Sequence, residues 1–317
     1  MKKFLGIVCF LLIIYAVLIV NAPQARTAYN HHNLAERIGL SGIVSIGAAL
    51  LIISGGIDLS IGSVAGLSAT LFAVLLRKED YGWNPLVASL AVLTVGAVIG
   101  LVNGLLVTKV RVQAFVVTLC GLFVYRGAAR SLTHDQVKGL GTQFEHMQDI
   151  LYNEDLFGLP RSVYYFLALA SCAAVFLHLS VYGRYLYAIG SNERAARYSG
   201  IATDRYKILA YVFCSMTAAL YGMLYLMKLN SAQPSSDGTF LELYAIAGAV
   251  LGGCSLRGGE GNILGVIIGT TILVLLPNLS NMLGVKSEFD SVVIGAALLV
   301  GAILDEVLRR FGGKARQ

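Results

Sequence analysis

Charge is scarce in this chain. Only 13% of its 317 residues are Asp, Glu, Lys or Arg, where a soluble domain carries about 25%. With 56% hydrophobic residues, the shortfall excludes an ordinary water-soluble fold and points to a chain embedded in lipid. The cysteines Cys9, Cys120, Cys172, Cys214 and Cys254 form no CxxC pair and sit in apolar runs. They read as small buried hydrophobes rather than as a zinc or redox motif. No GxxxxGK[ST] phosphate loop is present, which excludes ATP binding of that kind. No HExxH occurs either, which argues against a membrane metalloprotease. Ionisable groups are nearly missing from the apolar runs, although proton- and voltage-driven machines usually need them. No metal, no cofactor and no catalytic group is expected. The net charge of +6 is read as an orientation signal, not as a nucleic-acid footprint.

What is there is a series of apolar runs of bilayer length. Lys2 and Lys3 precede the run 4–22, and no clean small-x-small cleavage site precedes Pro23. An uncleaved first span is therefore expected. Further spans are expected at 38–53, 58–76, 85–107, 114–132, 162–182, 208–227, 240–254, 262–283 and 288–307. The fold class is an all-α, polytopic transmembrane helix bundle of about ten spans, forming one transmembrane domain over 1–317. Basic residues mark the cytoplasmic side. Lys109 and Arg111 lie in the short loop 108–113. Arg184, Arg194, Arg197, Arg205 and Lys207 lie in 183–207, and Arg309, Arg310, Lys314 and Arg316 in the tail. These fall on the side of Lys2 if both termini are cytoplasmic. The acidic loop 133–161 then lies outside.

The chain repeats itself internally. "GGIDLSIG" at 55–62 and "GGCSLRGG" at 252–259 share the pattern G-G-x-[D/S]-L-x-x-G. Paired glycine-interrupted hydrophobic segments in two halves point to a transporter core. The structural Gly motifs are Gly55, Gly56 and Asp58 in the first copy and Gly252, Gly253, Gly258 and Gly259 in the second. They are either tight turns near the cytoplasmic side or breaks inside the membrane. Asp58 reads either as a helix N-cap or as a functional carboxylate. Gly96, Gly100 and Gly104 recur every four residues, as do Gly261, Gly265 and Gly269. That spacing puts each set on one helix face for close packing, or for a ligand or partner subunit. Uncharged polar residues recur within spans: Asn103, Thr118, Thr270, Asn278 and Asn281. Singly they read as interhelical glue; together they can line a path for a neutral, hydroxyl-rich solute.

One charged island interrupts the apolar chain. "AIGSNERAARYSGI" at 188–201 reads as a short capped helix. Ser191 or Asn192 caps its start, Glu193 sits in its first turn and Gly200 provides a left-handed stop. Read from its residues alone, it is a solvated basic loop that fixes topology.

These stretches together resemble a family. "ISGGIDLSIGSVAGLSA", "GLVNGLLV", "AFVVTLCGLFVYRGAA", "AIGSNERAARYSGI" and "LGGCSLRGGEGNILGVIIGTTIL" are similar, in order, to blocks of the permease subunits of bacterial ATP-binding-cassette importers for ribose and related monosaccharides. The likeness covers about 38–307. Gln113 stands where the family often has proline, and Cys254 and Arg257 replace small or hydroxyl residues. The resemblance implies a multi-pass protein of the bacterial cytoplasmic membrane and a homodimer of permease chains. It also implies a separate cytoplasmic ATPase and a periplasmic or extracellular sugar-binding protein. Under it, 191–200 becomes the helix on which the ATPase acts, through Asn192, Glu193, Arg194, Ala195, Ala196, Arg197 and Gly200. Arg194 and Arg197 would share a face that meets acidic groups, and Ala195 and Ala196 would allow close docking. The related branched-chain amino-acid permeases share the architecture but fit these blocks less well.

Overall fold

The computed structural model describes residues 2–141, 144–153 and 155–286, with isolated positions 289, 292–293, 295–296 and 299. The expected span 288–307 therefore lies largely, and the basic tail wholly, outside the described residues. Among the described residues all regular structure is helical apart from two isolated bridges. The order is α1 (Lys2–Asn21), α2 (Ala28–Ile53), α3 (Ile61–Leu76), α4 (Pro85–Thr108), α5 (Ala114–Thr133), α6 (Glu145–Gln148) and α7 (Arg161–Ala174). Then come α8 (Val181–Ser191), α9 (Glu193–Tyr198), α10 (Thr203–Leu229), α11 (Leu241–Leu251) and α12 (Ile263–Met282).

Six of these are long and apolar enough to cross a membrane: α2, α4, α5, α7 with its continuation to Leu179, α10 and α12. The chain is thus a helical multi-pass membrane protein. Two expected spans come out short. The run 58–76 yields the 16-residue α3, and 240–254 yields the 11-residue α11. At 1.5 Å per residue α11 is about 16 Å long, roughly half a bilayer core. The causes differ: 58–76 loses its start, where 54–60 stay irregular or in a turn, and 240–254 loses chiefly its end, where 252–254 turn out of the helix.

Helix α2 is the centre. Thr27 caps its start by accepting the Asn30 N–H, and from Gly39 onward nearly every residue is buried. Such an all-round apolar surface requires neighbours on every side. The glycine stripes supply two of those close contacts elsewhere. Gly96, Gly100 and Gly104 of α4 lie on Ser215, Tyr211 and Ile208 of α10, while Gly265 and Gly269 of α12 lie on Gly252 and Gly248 of α11. Both stripes serve packing within the chain.

The bundle has two distinct ends. At one, the Lys138 ammonium reaches Asp80 at 3.0 Å, Lys138 pairs with Ala232 through the backbone, and Glu36 holds both Tyr152 (2.8 Å) and Lys228 (3.0 Å). Segment 133–161 is therefore no free loop: Leu140 and Tyr152 are buried in the main core. At the other end, Lys109 bonds Asp204 at 2.8 Å and Gly259 N–H bonds Ile53 O at 2.9 Å. The functional elements gather at this second end and between the two.

Candidate functional site

The exposed helix α9 is fixed by cap chemistry at both ends. Asn192, not Ser191, accepts the Ala195 N–H at 3.0 Å. Gly200 takes φ +83°, and Ile201 N–H closes back on Ala196 O at 3.1 Å, the left-handed stop that relieves orphan carbonyls. Ion pairs then brace the helix sideways. The Arg197 guanidinium holds Glu193 at 3.2 Å and Asp204 at 2.6 Å, and Lys207 holds the other Glu193 oxygen at 2.8 Å. Exposed pairs contribute only about 0–1 kcal/mol each, but shared acids make these a network that orients α9 on the first turns of α10.

Two expectations about α9 need correction. Arg197 does not share a free cationic face with Arg194, because Glu193 lies one turn back and Asp204 folds beside it; Arg197 is spent within the chain. Ala196 is 5% exposed and turns inward, so only Ala195 is open to a partner. Arg194 and Arg111 have no ion-pair partner among the described residues. They line a cleft of ≈ 690 Å³ between α4 and α9, together with Thr108, Asn192 and Tyr198. Tyr198 is 92% exposed. The sequence reading missed it; the signal was an aromatic residue on the polar face of a short charged helix. The surface offers two unpaired cations beside an open aromatic ring, a combination enriched in protein interfaces.

A second polar site lies between the helices. Tyr125 donates to Asn103 Oδ1 at 2.9 Å, Asn103 Nδ2 to Ser60 Oγ at 3.2 Å, and Ser60 Oγ to Asp58 Oδ1 at 2.6 Å. Asp58 is 1% exposed, and its Oδ2 has no partner among the described residues. Asp58 does not cap α3 directly. It closes a turn onto the Ser60 N–H at 2.7 Å, one residue ahead of the helix. A carboxylate from the other half of the chain stands at the start of α3: the buried Glu242, in the first turn of α11, lies against Gly62, where an added Cβ would meet its Oε2. The starts of α3 and α11 therefore share one anion, where both helix dipoles favour it. Arg126 of α5 ties in the preceding segment by donating to Pro234 O and Asp237 O. Glu242 and Arg126 were absent from the sequence reading; Glu242 is a lone charge in an otherwise apolar stretch, and Arg126 shares its stretch with Arg130 alone.

The polar residues expected along a path fall into separate places. Asn103 belongs to the network above. Thr118 is buried and bonds Ala114 O of its own helix. Asn278 bonds Asn30 at 2.8 Å near the far end of α12, and Asn281 is exposed there. Among the glycines, Gly55, Gly253, Gly258 and Gly259 have φ between +75° and +91°, while Gly252 has φ −71°. Gly56 is not among the positive-φ glycines. Among the described residues no cluster fit to hold a metal exists.

Among the described residues the chain is thus a helical bundle interrupted at two glycine motifs, with a braced charged helix at one end. The chain belongs to the family described as "Branched-chain amino acid transport system / permease component", whose model matches residues 30–302. It is 37% identical over 304 residues to the "Ribose import permease protein RbsC" of Escherichia coli (strain K12), covering 93% of this chain and 91% of that protein. The protein of the same name from Bacillus subtilis (strain 168) is 38% identical, covering 95% and 91%. The "L-arabinose transport system permease protein AraH" of Escherichia coli (strain K12) is 32% identical over 311 residues, covering 97% and 92%. No solved structure matches the chain.

Proposed function

We propose that this chain is the membrane-spanning subunit of an ATP-binding-cassette importer that moves a monosaccharide, ribose or a close relative, across the bacterial cytoplasmic membrane. The observation that carries the reading is the likeness to ribose import permeases over more than nine-tenths of both chains. ATP is hydrolysed on a separate cytoplasmic ATPase, a periplasmic sugar-binding protein delivers the solute, and two permease copies form the pore within the lipid. The end bearing α9 faces the cytoplasm with both termini, and 133–161 faces outside. Ten crossings result if α3 and α11 each count as one, with 288–307 as the last. Helix α9 docks the ATPase through Arg194, Ala195 and Tyr198, with Arg111 as the opposite jaw of the cleft. Asn192, Glu193, Arg197 and Gly200 hold the helix in shape. Asn103 and its hydroxyl neighbours are the best-supported polar lining of the solute path; Thr118, Asn278 and Asn281 contribute at other levels.

The family description also names branched-chain amino acids, and uptake decides between them. In cells lacking other routes, the chain with its ATPase and binding protein should accumulate labelled ribose or arabinose and not leucine. Accumulation of leucine alone would install the amino-acid reading. Docking has its own test. Arg194→Glu places like charge against an acidic docking surface, costing on the order of a few kcal/mol, and should release the ATPase from a fully folded permease. Arg197→Glu instead breaks two internal ion pairs and loosens α9 itself, read as lower helix protection in hydrogen exchange.

A further inference from the structure

The last turn of α8 is where the approach to α9 touches both glycine motifs. A methyl group on Gly190 would fall on the carbonyl oxygen of Ile53, the last residue of α2, and on the nitrogen of Gly259. That same Gly259 N–H donates to Ile53 O at 2.9 Å. Gly258 presents its open face to the group: a Cβ there would lie 2.9 Å from Gly190 Cα and 2.9 Å from Gly55 Cα. A Cβ on Gly259 would meet Ser191. One turn before Gly190, the Tyr187 hydroxyl donates to Gly261 O at 2.7 Å. Three segments far apart in sequence thus meet backbone against backbone, with no side chain at Gly55, Gly190 or Gly258 to take up a displacement.

That absence matters mechanically. Side chains can change rotamer and absorb a shift, whereas close-packed backbone joined by hydrogen bonds passes it on. Ser191 runs directly from this junction into the cap of α9, and α9 is braced as a unit. A push on α9 therefore reaches Gly190, and Gly190 bears at once on the end of α2 and on the loop into α12. Three residues beyond Gly55 stands Asp58, whose turn opens α3 and leads to Asn103.

We propose that Gly190 is the pivot that passes movement of α9 to both glycine motifs together, and so to α3 and α12. It is a positioning residue and touches no solute. The proposal rests on the reading that α9 docks the ATPase. The test uses the whole complex, permease with ATPase and binding protein, in proteoliposomes. Gly190→Ala should leave the ATPase bound and ATP hydrolysis running, while sugar moved per ATP falls about tenfold, within the usual range of coupling between sites. Tyr187→Phe, which removes one hydrogen bond and adds no bulk, should lower the same ratio about twofold. A wild-type ratio in Gly190→Ala overturns the pivot, as does loss of the bound ATPase, which would place Gly190 in docking. If Gly190→Ala fails to reach the membrane, Tyr187→Phe decides alone, and an unchanged ratio sinks the idea. The docking reading fails on a different observable, retention of the ATPase by Arg194→Glu.

Discussion

Residues 55–62 leave α2 and are already inside α3 at their last glycine; residues 252–259 leave α11 and stay irregular until α12 begins at Ile263. Both copies keep one device. Asp58 Oδ1 accepts the N–H of Ser60 at 2.7 Å, and the matching Ser255 Oγ accepts that of Arg257 at 3.3 Å. The rest diverges. The first copy has one left-handed residue, Gly55, whereas the second has three, Gly253, Gly258 and Gly259, the first of them one place later in the pattern. Beyond the shared leucine the first copy reads Ser-Ile-Gly-Ser-Val-Ala and the second Arg-Gly-Gly-Glu-Gly-Asn. Each glycine costs a helix about 1 kcal/mol, so the first goes helical and the second cannot. The helix starts differ accordingly: Glu242 lies beside the start of α3 from across the molecule, and Asn262 caps α12 locally, accepting the Gly265 N–H at 2.6 Å. A shared pattern fixes the turn; composition after the turn sets the path.

The sharpest way to break this comparison is to place the same methyl in both copies. At Gly252 a Cβ would run into the backbone of Gly265 and lie 2.7 Å from Val266 N, atoms that cannot rotate away. Gly252→Ala should cost about 3 kcal/mol or more, at the upper end of overpacking. At Gly55 the nearest atom is 3.6 Å away, so only the left-handed backbone is penalised, by about 1–2 kcal/mol. Thermal unfolding of the purified chains in detergent reads both, and equal losses would mean the two glycines do the same work.

The caps come next. Glu242→Ala removes the buried carboxylate that stands at both helix starts and should cost about 2 kcal/mol. Glu242→Gln keeps an acceptor and should recover most of it. Asn262→Ala removes a local cap worth about 1 kcal/mol. A larger loss at Asn262 than at Glu242 would contradict the assignment of Glu242 to both helices.

These contrasts also mark what could be seen in advance. Asn192 and Gly200 were legible because capping depends on residues within one turn of each other. The stripe Gly96, Gly100 and Gly104 and most helix positions were legible from spacing and apolar runs, whereas Gly261 precedes α12 and falls off the helix face its spacing implied. Glu242 was not, because its partner Gly62 lies far away in the chain and its own surroundings read as an unbroken span. Ala196 was misjudged for the same reason: its burial depends on where α10 folds back, which no local pattern states. The run 240–254 was already short in the sequence, but the shortness of α3 was hidden because hydropathy counts residues, whether helical or extended, so 58–76 scored as a whole span.

The smallest effect should fall on the second copy of the device that both share. Asp58 is fully enclosed and accepts both the N–H and the hydroxyl of Ser60. Asp58→Leu would strand both donors and break the chain to Asn103, at about 2 kcal/mol. Asp58→Asn retains an acceptor for the amide and should lose less, with uptake preserved if the carboxylate serves only the turn. Ser255 is half-buried and accepts a single long bond. Ser255→Ala should therefore cost about 0.5 kcal/mol or less, since Arg257 N–H can turn to water. Melting temperatures of the three variants rank them. If Ser255→Ala proves as damaging as Asp58→Leu, the turn is under equal demand in both copies, and the repeat is conformational as well as sequential. If Asp58→Asn is as inactive in uptake as Asp58→Leu while melting like the wild type, the unpartnered Oδ2 carries a charge the solute or the cycle requires, and the first copy has a role the second lacks.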